Sequence, residues 1–164
     1  MTNFYSFHGT VTMISDLPGN GRGEGCYKFF TVENEAGSIV NFVVSPTTYF
    51  ADHALVSVGD RVTGYYDGDA PAIMIYPPQY PALVMVKEGP DQNVKVSYFN
   101  EQLASSDGQL QLTISPYTQL LLPNGQAFTS SLANRDLIVS YGPATKSMPA
   151  QTTPYRVIVL CKSL

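Results

Sequence analysis

The chain matches itself. Val43-Val44-Ser45-Pro46-Thr47-Thr48 is answered by Thr113-Ile114-Ser115-Pro116-Tyr117-Thr118. Pro71-Ala72, followed by Pro77-Pro78-Gln79, is answered by Pro143-Ala144 and then Pro149-Ala150-Gln151 at the same spacing. After each comes an apolar run ending in lysine, Ala82–Lys87 and Val157–Lys162. Three landmarks in one order, with an offset drifting from 70 to 75 residues, point to a tandem duplication of one small unit. Two modules are expected, residues 1–88 and 89–164, meeting at the polar joint Glu88-Gly89-Pro90-Asp91-Gln92.

Within each unit, short β-rich runs alternate with turn residues. Phe4–Met13, Tyr27–Glu33, Ser38–Val44, Asp60–Tyr66 and Ala82–Lys87 read as five strands from their β-branched, aromatic and alternating polar residues. Val94–Phe99, Gln109–Ser115, Thr118–Leu122, Asp136–Tyr141 and Tyr155–Cys161 form the second series. No segment sustains a 3.6-residue apolar period over the roughly 11 residues of a secure helix, so helix should fall below about a fifth of the chain. Leu17–Gly25, with four glycines, reads as a loop, and Pro46–Ser57 as a connector with room for a helical turn. Five strands with a long third-to-fourth connector match an oligonucleotide/oligosaccharide-binding (OB) barrel, a partly open Greek-key unit; a β-sandwich is the competitor. The expected fold is therefore all-β, two tandem divergent OB-like β-barrel units. The second is degenerate, with a Thr118–Phe128 hairpin in place of the Thr47–Val58 connector. The Pro-Ala-x-x-x-x-Pro-x-Gln stretch should leave the sheet, because proline fixes φ and lacks an N–H, with its glutamine side chain bonding loop carbonyls.

Charge and residue inventory narrow the function. Net charge is −4 and the nine Lys and Arg are scattered, so no basic stripe exists to neutralise a phosphate backbone and nucleic acid is not expected as a partner. The longest apolar runs span a few residues, far short of the roughly 20 of a membrane helix. Met1-Thr2-Asn3-Phe4-Tyr5 shows no secretory signal. Catalysis needs a base beside a nucleophile or metal, and the histidines are only His8 and His53, in no metal-binding pair. Neither a nucleophile elbow nor a phosphate cradle is present. The reading is non-enzymatic, without a cofactor. Asp67-Gly68-Asp69 offers oxygens to calcium or makes a simple turn, and Cys26 and Cys161 are a disulfide or two buried thiols.

Tyrosine is the excess: eleven, against no tryptophan. Tyr65, Tyr66, Tyr76 and Tyr80 gather around Pro77 and Pro78, and rigid rings with polar tips suit interfaces. These six residues are the candidate interface. Ser115-Pro116-Tyr117-Thr118, Arg135–Tyr141 and Gly142–Thr152 resemble small all-β modules of Firmicutes bacteria that accompany cell-wall or stalk-like domains. Asn41–Pro46 and Ile75–Tyr80 are similar to the partner module of uncharacterised two-module proteins from the same bacteria. The resemblance implies a non-catalytic role at a bacterial surface. The expected function is a structural or interaction protein that pairs with itself, as a homo-oligomer or filament, through β-edges and Tyr/Pro loops. The alternative is a glycan or small-ligand module using Tyr5, Phe29 or Phe42 as stacking platforms.

Overall fold

The first sheet is built around one long bent strand. A computed structural model describes residues 1–17, 24–71, 73–90 and 92–161. The centre of the glycine-rich loop, Ala72, Asp91 and the expected terminal Lys162 lie outside the described residues. The protein is all-β: thirteen strands and one 3-10 turn, Ala51–His53, are the regular elements among the described residues. The chain divides into two compact units, Phe4–Glu88 and Gly89–Leu164 with Met1–Asn3.

In the first unit β1 (Phe4–Asp16) is followed by β2 (Lys28–Glu33), β3 (Ile39–Val44), β4 (Tyr49–Phe50), β5 (Arg61–Asp67), β6 (Gln79–Pro81) and β7 (Val84–Lys87). An irregularity between Val11 and Met13 bends β1, so its first half pairs with β5 and its second half with β2. Gly9 sits at this bend, where a Cβ would stand 2.3 Å from the Glu33 carbonyl oxygen. The strand order is β4-β7-β5-β1-β2-β3-β6. Among the described residues strand pairing closes no barrel, where the sequence suggested a β-barrel unit, since β4 and β6 end the ladder. The two flanks are joined by the chain itself: the Ala82 N–H donates to Val43 O (3.0 Å) and the Leu83 N–H to Tyr65 O (2.8 Å). Alternating residues of β2 and β3 point inward, and Phe30, Val32, Val40, Phe42 and Val44 meet Val11, Val62 and Met85 in one core.

The second unit contains β8 (Asn93–Phe99), β9 (Leu110–Leu112), β10 (Gln119–Leu121), β11 (Arg135–Tyr141), β12 (Ala150–Thr152) and β13 (Arg156–Leu160). A four-stranded sheet runs β10-β13-β11-β8, and β9 pairs with β12. Isolated bridges, Phe99 to Ser105 and Ala104 to Gln111, stand where the first unit has β2. Phe99, Leu110, Leu112, Leu137, Val139, Val157 and Val159 fill its separate core.

The pairings recur between units. β3 with β6 and β9 with β12 are parallel, as are β4 with β7 and β10 with β13. β5 is antiparallel to β1 and β7, and β11 to β8 and β13. The Ser-Pro-x-Thr motif has the same bonding in both. Thr48 Oγ1 accepts the Ser45 N–H (3.0 Å) and donates to Ala82 O (2.8 Å). Thr118 Oγ1 accepts the Ser115 N–H (3.2 Å) and donates to Pro154 O (2.8 Å). Each threonine thus ties the turn to the crossing from a short parallel strand into the last strand.

Two sequence expectations are corrected. The proline motif does not stay outside the sheet up to its glutamine: Gln79 and Gln151 lie in β6 and β12, opposite Asn41 and Gln111. Pro81 is tolerated because β6 is a terminal strand, where a missing N–H costs no ladder bond. No bond from the Gln79 or Gln151 side chain to a loop carbonyl occurs among the described residues; Gln151 acts through its backbone, exchanging bonds with Thr145. The terminal lysines also mislead. Tyr49 opposes Val84 and Gln119 opposes Arg156, so Val84 corresponds to Arg156 and matching Lys87 with Lys162 is three residues out of step.

Candidate functional site

The connection from β5 to β6 begins with a local turn. The Ala70 N–H donates to Asp67 O (3.2 Å) and the Asp69 N–H to Asp67 Oδ1 (2.9 Å), so Asp67 spends its carboxylate on its own turn. No group of three or more metal-ligating side chains occurs among the described residues. Tyr66, just before the turn, stacks on Tyr80 with centroids 3.9 Å apart and planes 4° from parallel. Tyr5 meets Tyr66 edge-on at 6.0 Å, and Phe42 lies tilted at 6.2 Å. Glycines make room: a Cβ on Gly64 or Gly68 would fall 2.4 Å from the ring of Phe42 or Tyr5. Burial first, then Tyr80 and Tyr5, push the Tyr66 phenol up to about 12.

The loop then turns outward. Ile73, Met74, Ile75 and Tyr76 are 74%, 100%, 47% and 77% exposed, four large apolar side chains in sequence. Tyr76-Pro77 is a cis peptide, and Pro78 O accepts the Asn41 N–H (2.9 Å), docking the loop's end on β3. The corresponding loop of the second unit also carries a cis peptide, Met148-Pro149, but its residues Thr145-Lys146-Ser147 are polar.

The structure therefore divides the six expected interface residues. Tyr76 is on the surface with half-buried Pro77 and Pro78 as its shoulder. Tyr66 and Tyr80 are half-buried against each other, and Tyr65 is a half-buried ladder residue whose carbonyl receives Leu83. Sequence reasoning passed over Ile73, Met74 and Ile75, although an apolar run between prolines, outside any strand pattern, was the available signal. Of the stacking platforms, Phe42 is excluded: it is fully buried in the core. Tyr5 is half exposed and lies across Gly68, while Phe29 is partly buried on β2.

Elsewhere, charge replaces aromatics. Tyr141 in the second unit corresponds to Tyr66, and burial followed by the Asp107 charge raises its phenol. Burial pushes the Asp107 carboxyl up, but the Lys95 ion pair, the Ser105 hydroxyl (2.6 Å) and the Gln109 N–H (3.0 Å) outweigh it and hold it low. His8 Nδ1 lies 3.1 Å from Glu88 Oε2 at an exposed position, and His53 sits edge-on to Tyr49. Cys26 and Cys161 are both free and exposed, neither bridged nor buried. Comparison with family models, curated proteins and solved structures finds no match to this chain.

Proposed function

We propose that this chain is a non-catalytic interaction protein, made of two OB-like units descended from one ancestral unit, which associates with further copies of itself through the Ile73–Tyr76 loop. The duplication reading is supported by the shared pairings, the paired Ser-Pro-x-Thr bonds and the matching cis prolines. The observation that carries the function is the exposed apolar loop. Its four large apolar side chains all face solvent in one short segment, and an exposed apolar cluster of this kind marks an interaction site more often than an ordinary surface. No charge interrupts Ala70–Pro81 to discourage contact. β6, at the loop's end, is a terminal strand able to pair. Pro77, Pro78 and Pro81 limit that pairing to a few bonds, which favours a discrete contact over open-ended strand addition. The scattered cations and net charge of −4 argue against nucleic acid as the partner. The resemblance to Firmicutes surface modules would place such an assembly on a bacterial cell.

Met74→Ser with Tyr76→Ser tests this. The pair removes roughly 250 Å² of apolar area per copy, worth at most about 6 kcal/mol at ~25 cal/mol/Å². Realising a third of it weakens association about thirtyfold. Wild type should form concentration-dependent oligomers in sedimentation velocity, and the variant should be monomeric with an unchanged β-sheet spectrum. A wild type that stays monomeric at high concentration, or a variant that assembles equally well, defeats the proposal.

A further inference from the structure

We infer that the contact between copies is heterologous: the Ile73–Tyr76 loop of one copy seats on the Pro143–Met148 loop in the second unit of another. This rests on the self-association reading and adds to it the surface that receives the loop. The two loops occupy corresponding connections, β5 to β6 and β11 to β12, yet they carry opposite charge. Between Val62 and Val86 the only ionic side chains are Asp67 and Asp69, just ahead of the apolar residues. Between Leu137 and Cys161 they are Lys146 and Arg156. The imbalance extends to the whole units: residues 1–88 hold nine carboxylates against four lysines and arginines, and residues 89–164 hold four against five, giving net charges of −5 and +1.

The second loop is held as a fixed surface. The Thr145 N–H donates to Gln151 O and the Gln151 N–H to Thr145 Oγ1, both at 2.9 Å. Thr152 Oγ1 donates to Pro143 O (2.7 Å) and Ser147 Oγ to Pro149 O (2.8 Å). These bonds use the hydroxyls of Thr145 and Ser147 within the loop and leave Pro143, Ala144, Lys146 and Met148 exposed, Met148 at 79%. No salt bridge to Lys146 forms among the described residues. A preorganised surface with exposed apolar atoms and one cation suits a partner that brings apolar side chains and carboxylates together. The Ile73–Tyr76 loop, with Asp67 and Asp69 close by in the chain, is such a partner. Contact between two Ile73–Tyr76 loops across a two-fold axis would instead set a unit of −5 against its equal. Asp67 and Asp69 would then face their own copies within reach of the roughly 8 Å screening length, a like-charge juxtaposition that disfavours the pair. A heterologous contact also leaves each terminal copy with one unused surface, so assembly continues until a ring closes or a filament forms.

Two full-length variants test this in sedimentation velocity. Met74→Ser with Tyr76→Ser removes the seated loop and keeps the surface that receives it; Lys146→Glu with Met148→Ser does the reverse. Each alone should be monomeric at a concentration where wild type assembles. Their equimolar mixture should form a one-to-one complex, because each supplies what the other lacks. Lys146→Glu by itself should weaken assembly about fivefold at low salt, a loss that shrinks as added salt screens the charge. If the Lys146→Glu, Met148→Ser protein loses its β-sheet spectrum, that single substitution and its salt dependence carry the test. A mixture of folded variants that stays monomeric, or a Lys146→Glu effect that is absent or indifferent to salt, overturns the inference while wild-type assembly still supports self-association. A wild type that is itself monomeric refutes the self-association reading and this inference with it.

Discussion

Thr118→Val should damage the second unit far more than its size suggests. Valine keeps the shape and removes only the hydroxyl. Thr118 is 9% exposed, and its Oγ1 joins the Ser115 N–H at 3.2 Å to Pro154 O at 2.8 Å. Removing it strands one donor and one acceptor, each costing about 1 to 3 kcal/mol where water cannot reach. Ser115 is half-buried, so its N–H falls at the low end, and the total is roughly 2 to 3 kcal/mol. For a unit of this size that lowers the melting temperature by roughly 10 to 15 °C. Thr48→Val makes the same cut in the first unit, but Thr48 is only half-buried and solvent can stand in, so about 1 kcal/mol is expected. Because each unit has its own core, amide exchange in β11 and β13 is the appropriate readout for Thr118. Thr118→Ser retains the hydroxyl and should recover most of the loss. A Thr118→Ser variant as unstable as Thr118→Val would falsify the hydroxyl account and assign the motif to methyl packing.

Glycine substitutions should separate rigid from yielding contacts. Gly64→Ala drives a Cβ into three ring atoms of Phe42 at 2.4 to 2.8 Å, inside a fully buried core, and should cost roughly 2 to 3 kcal/mol in urea unfolding. Gly68→Ala meets Tyr5 just as closely, but that ring is 51% exposed and can swing aside, so under about 1 kcal/mol is expected; equal losses would refute the distinction. Ultraviolet titration should find one phenol ionising at about 12, lowered when Tyr80→Phe removes its hydroxyl partner. Since the Tyr66 pKa is raised on folding, its contribution to stability is complete below the ordinary value of 10.0 and is lost as pH climbs from there through about 12. A Tyr80→Phe variant in which the highest-titrating phenol still ionises at about 12 would contradict the coupling.

The strand pattern was readable along the chain because it is local. Alternation in Lys28–Glu33 and Ile39–Val44 requires only that one face be buried, and the fold buries Phe30, Val32, Val40 and Phe42 as that pattern demands. The Ser-Pro-x-Thr repeat was equally visible, although its purpose was not: the carbonyls that accept from Thr48 and Thr118 belong to Ala82 and Pro154, more than thirty positions away. Gln79–Pro81 carried no strand signal, because proline lacks a donor; a parallel partner, β3, made the segment a strand. The same distance effect governs the surface. Tyrosine clustering singled out Tyr66, Tyr76 and Tyr80 together, since composition cannot tell a ring that stacks inward from one that faces water. Folding separated them, pressing Tyr66 against Tyr80 under Phe42 while the turn at Asp67 and the anchor at Pro78 carry Ile73–Tyr76 outward. Periodicity is a property of neighbours in sequence, whereas exposure in a loop depends on which distant backbone groups hold its ends.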